Sequence, residues 1–201
     1  GNSEESIGRY VKSSKNDNWR ITTKLDNMKL DISTQIKHSM NKLTILPSVV
    51  MSHSAALYIN DEFINNLIEA KEENKISKIG VSLYTNEDID LVMESNYKPD
   101  IIQVPINILD NRLYTSGLIT HLYKNGIEIH ARSVFLQGLF FLSEFELQND
   151  FSDVLPYLKK LNLIAAESNL KLSELSLLWL ANIKEIKKIV IGLENKKQLD
   201  F

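Results

Sequence analysis

The sequence contains no cysteine, which excludes disulfides, thiolate-bound zinc, iron–sulfur clusters and a thiol nucleophile. Its 4 histidines are scattered and show no metal-ligand spacing. With only 7 glycines and 4 prolines in 201 residues, collagen-like and low-complexity chains are excluded as well. No apolar run approaches the roughly 20 residues that a membrane-spanning helix requires. Neither sign of charge dominates: Lys and Arg total 23 against 26 Asp and Glu, a formal net charge of −3. No global positive field exists to hold nucleic acid or an anionic membrane. The first residues lack the basic-then-apolar pattern of a secretory signal, and the composition points to a cytoplasmic location.

What remains is 43% apolar and 24% charged, enough for a sizeable core in one domain over residues 1–201. Short β-branched runs alternate with longer segments of helical period. The spacing predicts strands over Arg20–Lys24, Ser48–His53, Lys78–Ser82, Asp100–Pro105, Ile127–Ser133 and Lys188–Gly192. Helices are expected over Ser3–Ser14, Ser33–Leu43, Asp61–Asn74, Asn86–Asn96 and Leu113–Asn125, and two more over Ser152–Ser168 and Ser173–Ile183. Thr85, followed by Glu87 and Asp88, reads as a helix start, and Asn125-Gly126 as a helix end. The strands are nearly continuous in apolar character, as parallel strands covered by helices are. This βα rhythm suits either a doubly wound sheet or a closed barrel. No G-x-G-x-x-G follows the first strand, which lowers the dinucleotide-fold alternative.

In parallel βα architectures the chemistry sits at the carboxyl ends of the strands. Polar or small residues close the apolar strands there: Lys24, His53, Ser82, Gln103, Asn107, Ser133 and Gly192. An arbitrary lysine is usually a solvated surface group, but one at a strand exit is a candidate for function. His38 and His121 read as helical surface residues, and His130, inside a strand, as a structural one.

Taken in order, Gly1–Tyr10 (GNSEESIGRY), Arg20–Leu25 (RITTKL), Lys75–Ser82 (KISKIGVS), Asp100–Arg112 (DIIQVPINILDNR), Ala131–Phe140 (ARSVFLQGLF) and Val190–Leu199 (VIGLENKKQL) resemble the aldo-keto reductase family. The resemblance implies a (β/α)8 TIM-type barrel, incomplete here, with about six of the eight βα units and the first two strands missing. It implies reduction of an aldehyde or ketone by hydride from NADPH or NADH. Lys24 matches the family's catalytic lysine and His53 its histidine. The family's tyrosine would fall just before Gly1 and its aspartate earlier still, so this chain is expected to be a piece of something longer and inactive as given.

Cofactor contacts are implied for Ser82, Gln103 and Asn107 at the nicotinamide end and for Ser133, Val134, Leu136 and Gly138 at the pyrophosphate. Gly192, Glu194 and Gln198 match the loop on the adenosine side. Many NADP-dependent members carry Lys-Ser and an Arg in that last loop where this chain has Gly192-Leu193 and Gln198, so the choice between NAD and NADP stays open. The expected partner is a small carbonyl substrate, with neither nucleic acid nor membrane. The alternative is an inactive truncated homologue acting as a binding or oligomerising protein, self-associating to cover an open barrel.

Overall fold

The structure, a computed structural model, describes residues 2–14, 18–26 and 31–193. Six strands follow one another in the sheet in chain order, from β1 to β6. The chain divides into two compact units, one ending at Gln103 and the other beginning at Val104.

In the first unit, β1 (Thr22–Leu25), β2 (Val49–Ser52), β3 (Lys78–Ser82) and the start of β4 (Ile101–Pro105) pair in parallel. Helices α1 (Asn2–Ser13), α2 (Ile32–Leu43), α3 (Ala55–Tyr58), α4 (Asp61–Glu72) and α5 (Asn86–Glu94) connect or precede them. β2 is buried along its whole length, which explains its unbroken VVM run. Local chemistry fixes the helix starts. The Asn60 side chain accepts from Phe63 N at 2.9 Å, and Thr85 and Asp88 cap each other reciprocally at the start of α5. The expectation at Thr85 therefore holds. Gly8 lets α1 lie directly on the end of α2, and Val11, Ile21 and Leu43 close a small core beneath.

Lys71 on α4 donates to both carboxylate oxygens of Asp100, at 2.8 and 2.6 Å, and to Tyr97 Oη at 3.0 Å. Asp100 Oδ2 also accepts from Ile79 N at 2.8 Å, so one carboxylate ties the helix to two strand starts. Burial opposes the lysine's charge, but the bonds to Asp100 and Tyr97 outweigh it and raise its pKa. A raised lysine pKa stabilises the fold fully below the unfolded value of about 10.4 and loses that contribution as pH climbs through the higher folded value. Lys71→Met should therefore cost about 0.5–1 kcal/mol at neutral pH, since the pair is partly exposed. The difference from wild type should shrink as pH rises past the ordinary lysine range; urea unfolding at neutral and at strongly alkaline pH measures it.

In the second unit, β5 (Glu128–Arg132) pairs in parallel with β6 (Ile186–Ile189), with a bulge between Ile129 and His130. Between β4 and β5 the expected single helix is two, α6 (Arg112–Thr115) and α7 (Leu118–Lys124). The break falls at Gly117, whose φ of 80° is left-handed. Asn125 ends α7 and Gly126, at φ 79°, releases the chain into β5, as its sequence suggests. His130 is buried against Glu128, Nε2 to Oε1 at 2.8 Å, a structural role. A 3₁₀ segment (Leu136–Phe141) and α8 (Glu144–Asp150), α9 (Leu155–Glu167) and α10 (Leu172–Ala181) complete the crossover. Their core is Phe140, Leu147, Leu158 and Leu172.

The sequence reading lacks α8, although Ser143 and Glu146 form a reciprocal cap at its start that the S-x-x-E spacing carries. It also sets the last strand too late. β6 is Ile186–Ile189, and Val190 adds one bond beyond it, from its N to Ala131 O at 2.8 Å. The β-branched run misleads there because Lys187 and Lys188 interrupt the apolar pattern while still belonging to the ladder.

Candidate functional site

In the first unit, Lys24, Ser82 and Gln103 converge. Lys24 Nζ donates to Gln103 Oε1 at 2.6 Å and lies 3.5 Å from Ser82 Oγ. Ser82 and Gln103 are buried, and their Cα atoms pair across β3 and β4. β1 and β4 are three strand spacings apart, about 14 Å in a flat sheet, so the contact needs a bowed sheet and long side chains. Met51 pairs with both Lys24 and Gly80, and its Cγ and Cε lie 3.1 and 3.0 Å from where a Cβ on Gly80 would stand. A side chain on Gly80 would therefore crowd Met51. His53 follows β2, exposed, and its N–H extends the ladder to Leu25 O at 2.9 Å.

The residues expected at a cofactor's nicotinamide end divide. Asn107 is fully buried, and its amide serves the backbone. Oδ1 accepts from Leu109 N and Asp110 N, both at 2.9 Å, while Nδ2 donates to Ser133 O at 3.2 Å.

In the second unit, a cavity of about 550 Å³ opens at the carboxyl ends of β5 and β6, lined among others by Arg132, Ser133, Val134, Gly138, Phe141 and Gly192. The loop around it is sharply turned. Ser133, Leu136, Gln137 and Gly138 have φ of 58°, 46°, 54° and 97°, left-handed values that cost the three non-glycine residues energy. Leu136 does not line the cavity; it packs against the Phe140 and Leu147 core instead. Glu194 and Gln198 lie outside the described residues.

Arg132, which the sequence reading passes over, is half-buried at this cavity, with Nη1 3.1 Å from Ser133 Oγ. Its position directly before Ser133 in ARSVFLQG is the signal that could have found it. Phe135 and Phe141 meet edge to face at 5.2 Å between ring centroids and add an aromatic wall. A fixed cation beside a loop with left-handed turns suits an anionic group such as a phosphate. Buried amide and hydroxyl groups on β3 and β4 suit a neutral polar head group. Among the described residues no cluster of metal-ligating side chains occurs and no helix is long and apolar enough to cross a membrane.

The model of the Aldo/keto reductase family matches residues 1–200. No curated protein matches the chain. Among solved structures, the thermostable aldo-keto reductase Tm1743 in complex with epalrestat is similar at 22% identity and a TM-score of 0.77, over 100% of this chain and 70% of that one. The holo form of aldo-keto reductase AKR11C1 from Bacillus halodurans is similar at 19% identity and a TM-score of 0.77, over 98% of this chain and 70% of that one. An aldo/keto reductase from Klebsiella pneumoniae in complex with NADP and acetate gives 16% and 0.73, over 94% of this chain and 65% of that one. The chain thus spans about two thirds of the lengths of these structures. The likeness shows the fold, that of an incomplete TIM-type barrel, and the match over residues 1–200 shows the family: the chain belongs to the aldo/keto reductases.

Proposed function

We propose that this chain is part of an oxidoreductase that reduces an aldehyde or ketone with NADPH or NADH. The observation that carries the reading is the convergence of Lys24, near the end of β1, on Ser82 at the end of β3 and Gln103 within β4. Ser82 and Gln103 supply hydroxyl and amide groups for the nicotinamide carboxamide. Ser133, Val134, Gly138, Gly192 and the Arg132 guanidinium supply the surroundings of the pyrophosphate. The bound cofactor would deliver hydride to the carbonyl carbon. His53 would orient the carbonyl through a hydrogen bond. Lys24 would favour the ionised form of a nearby proton donor by its charge; in this family that donor is a tyrosine, which the resemblance sets immediately before Gly1.

The test is a titration with NADPH followed by a panel of aldehydes and ketones, using the chain as given and a chain extended upstream through the family tyrosine and aspartate. Both should bind the cofactor saturably, and only the extended chain should turn over. No cofactor binding by either would overturn the reading. Arg132→Ala should weaken NADPH binding about tenfold or more, the worth of one charge-assisted contact, and the loss should diminish at high salt. An affinity unchanged by the substitution would remove Arg132 from the site.

A further inference from the structure

We infer that Asn125 is a deamidation site gated by the last turn of α7, a property separate from the reductase reading. Of the asparagines in the sequence, Asn125 alone precedes a glycine. Deamidation begins when the backbone nitrogen of the next residue reaches the side-chain carbonyl carbon, and glycine, with no Cβ, hinders that approach least. Both residues are exposed. Among the described residues nothing lies within 4 Å of where a Cβ on Gly126 would stand, so no neighbour blocks a five-membered ring there.

The step balances with water alone. The Gly126 nitrogen gives up its proton and bonds to Asn125 Cγ; the Cγ–Nδ2 bond breaks, and Nδ2 leaves as ammonia with that proton. Water then opens the succinimide at either carbonyl, leaving aspartate or isoaspartate and one added negative charge. The charge falls at the C-terminus of α7, where the helix dipole opposes it. Isoaspartate also puts an extra methylene into the main chain just ahead of β5.

In the folded turn both reacting groups are held. Gly126 N–H donates to Tyr123 O at 3.0 Å and Ile127 N–H to Leu122 O at 3.2 Å, the paired bonds of a left-handed helix end. Leu122 and Ile127 are themselves buried. Asn125 Nδ2 donates to His121 O at 2.9 Å and lies 3.3 Å from His121 Nε2. Attack therefore waits for the turn to open. Two hydrogen bonds of ordinary net worth correspond to a factor of about 5–30, and Asn125 should deamidate that much more slowly in the folded protein than in the unfolded chain.

The test incubates the protein at mildly alkaline pH, folded and in urea, and follows each asparagine by peptide mapping with mass spectrometry that distinguishes isoaspartate. In urea Asn125 should convert before any other asparagine, and Asn125→Gln, whose longer side chain would have to close a larger ring, should remove that fast conversion. In the folded protein the slowing should match, within a few-fold, the protection of the Gly126 amide against hydrogen exchange, because both events need that N–H released from Tyr123 O. If another asparagine converts first in urea, Asn125 is not the site. Equal rates folded and in urea, or a slowing unrelated to the protection of Gly126, would overturn the gate.

Discussion

Gly8→Ala should be among the most damaging single-methyl additions in the first unit. An ideal Cβ on Gly8 would stand 1.9 Å from Lys42 O and 2.9 Å from Lys42 C. Those are backbone atoms at the end of α2, with no rotamer to yield. In an open helix the same change would gain about 0.5–1 kcal/mol from propensity. Here that gain is opposed by overpacking, typically about 1–3 kcal/mol and occasionally more. The expected outcome is a net loss of about 2 kcal/mol, seen as a lower urea midpoint with little change in slope. Prising α1 from α2 would also disturb the contact of Thr23 Oγ1, on β1, with Glu4 Oε1 at 2.7 Å, one residue from Lys24. A stabilised Gly8→Ala protein would show that α1 does not rest on α2 in this way.

Asn107→Leu should have an effect of similar size, for a polar reason. The side chain holds two backbone N–H groups and one carbonyl, and its removal leaves three groups without that partner. Each buried polar group deprived of its partner costs about 1–3 kcal/mol; relaxation toward solvent makes about 3 kcal/mol in all a reasonable expectation. The contact to Ser133 O ties this loss to the cavity, because Ser133 is the left-handed residue that turns the chain out of β5. NADPH binding by Asn107→Leu should therefore weaken even where the protein remains folded. Asn107→Asp separates the roles. At a pH where the buried carboxyl is protonated it keeps both acceptor contacts and its O–H can still meet Ser133 O, so stability should fall less than in Asn107→Leu, and the difference should narrow as pH rises and a buried charge faces that carbonyl. If the two variants were equal in stability, the account of the Asn107 amide would be wrong.

These residues also show where the sequence is legible. Ser82 closes one apolar parallel strand and Gln103 interrupts another, and a polar residue in an apolar run stands out in the sequence itself. Thr85 and the Asn125-Gly126 pair are legible because capping is local chemistry. The break at Gly117 is not, since a left-handed glycine within an apolar period looks the same as a tolerated one. The cavity loop is less legible still. Successive left-handed residues at Leu136, Gln137 and Gly138 destroy any regular period, so nothing in the spacing tells that Leu136 turns to the core while Arg132 reaches the cavity. The pairing of Lys24 with Gln103 joins side chains from β1 and β4, three strands apart, and no strand pattern contains a contact of that range.

The most direct measurement is a crystal structure of the protein soaked or grown with NADPH. The nicotinamide carboxamide should lie within hydrogen-bond distance of Ser82 and Gln103, with Lys24 beside it. Density for the dinucleotide away from these residues, or a nicotinamide turned from β3 and β4, would contradict the reductase reading.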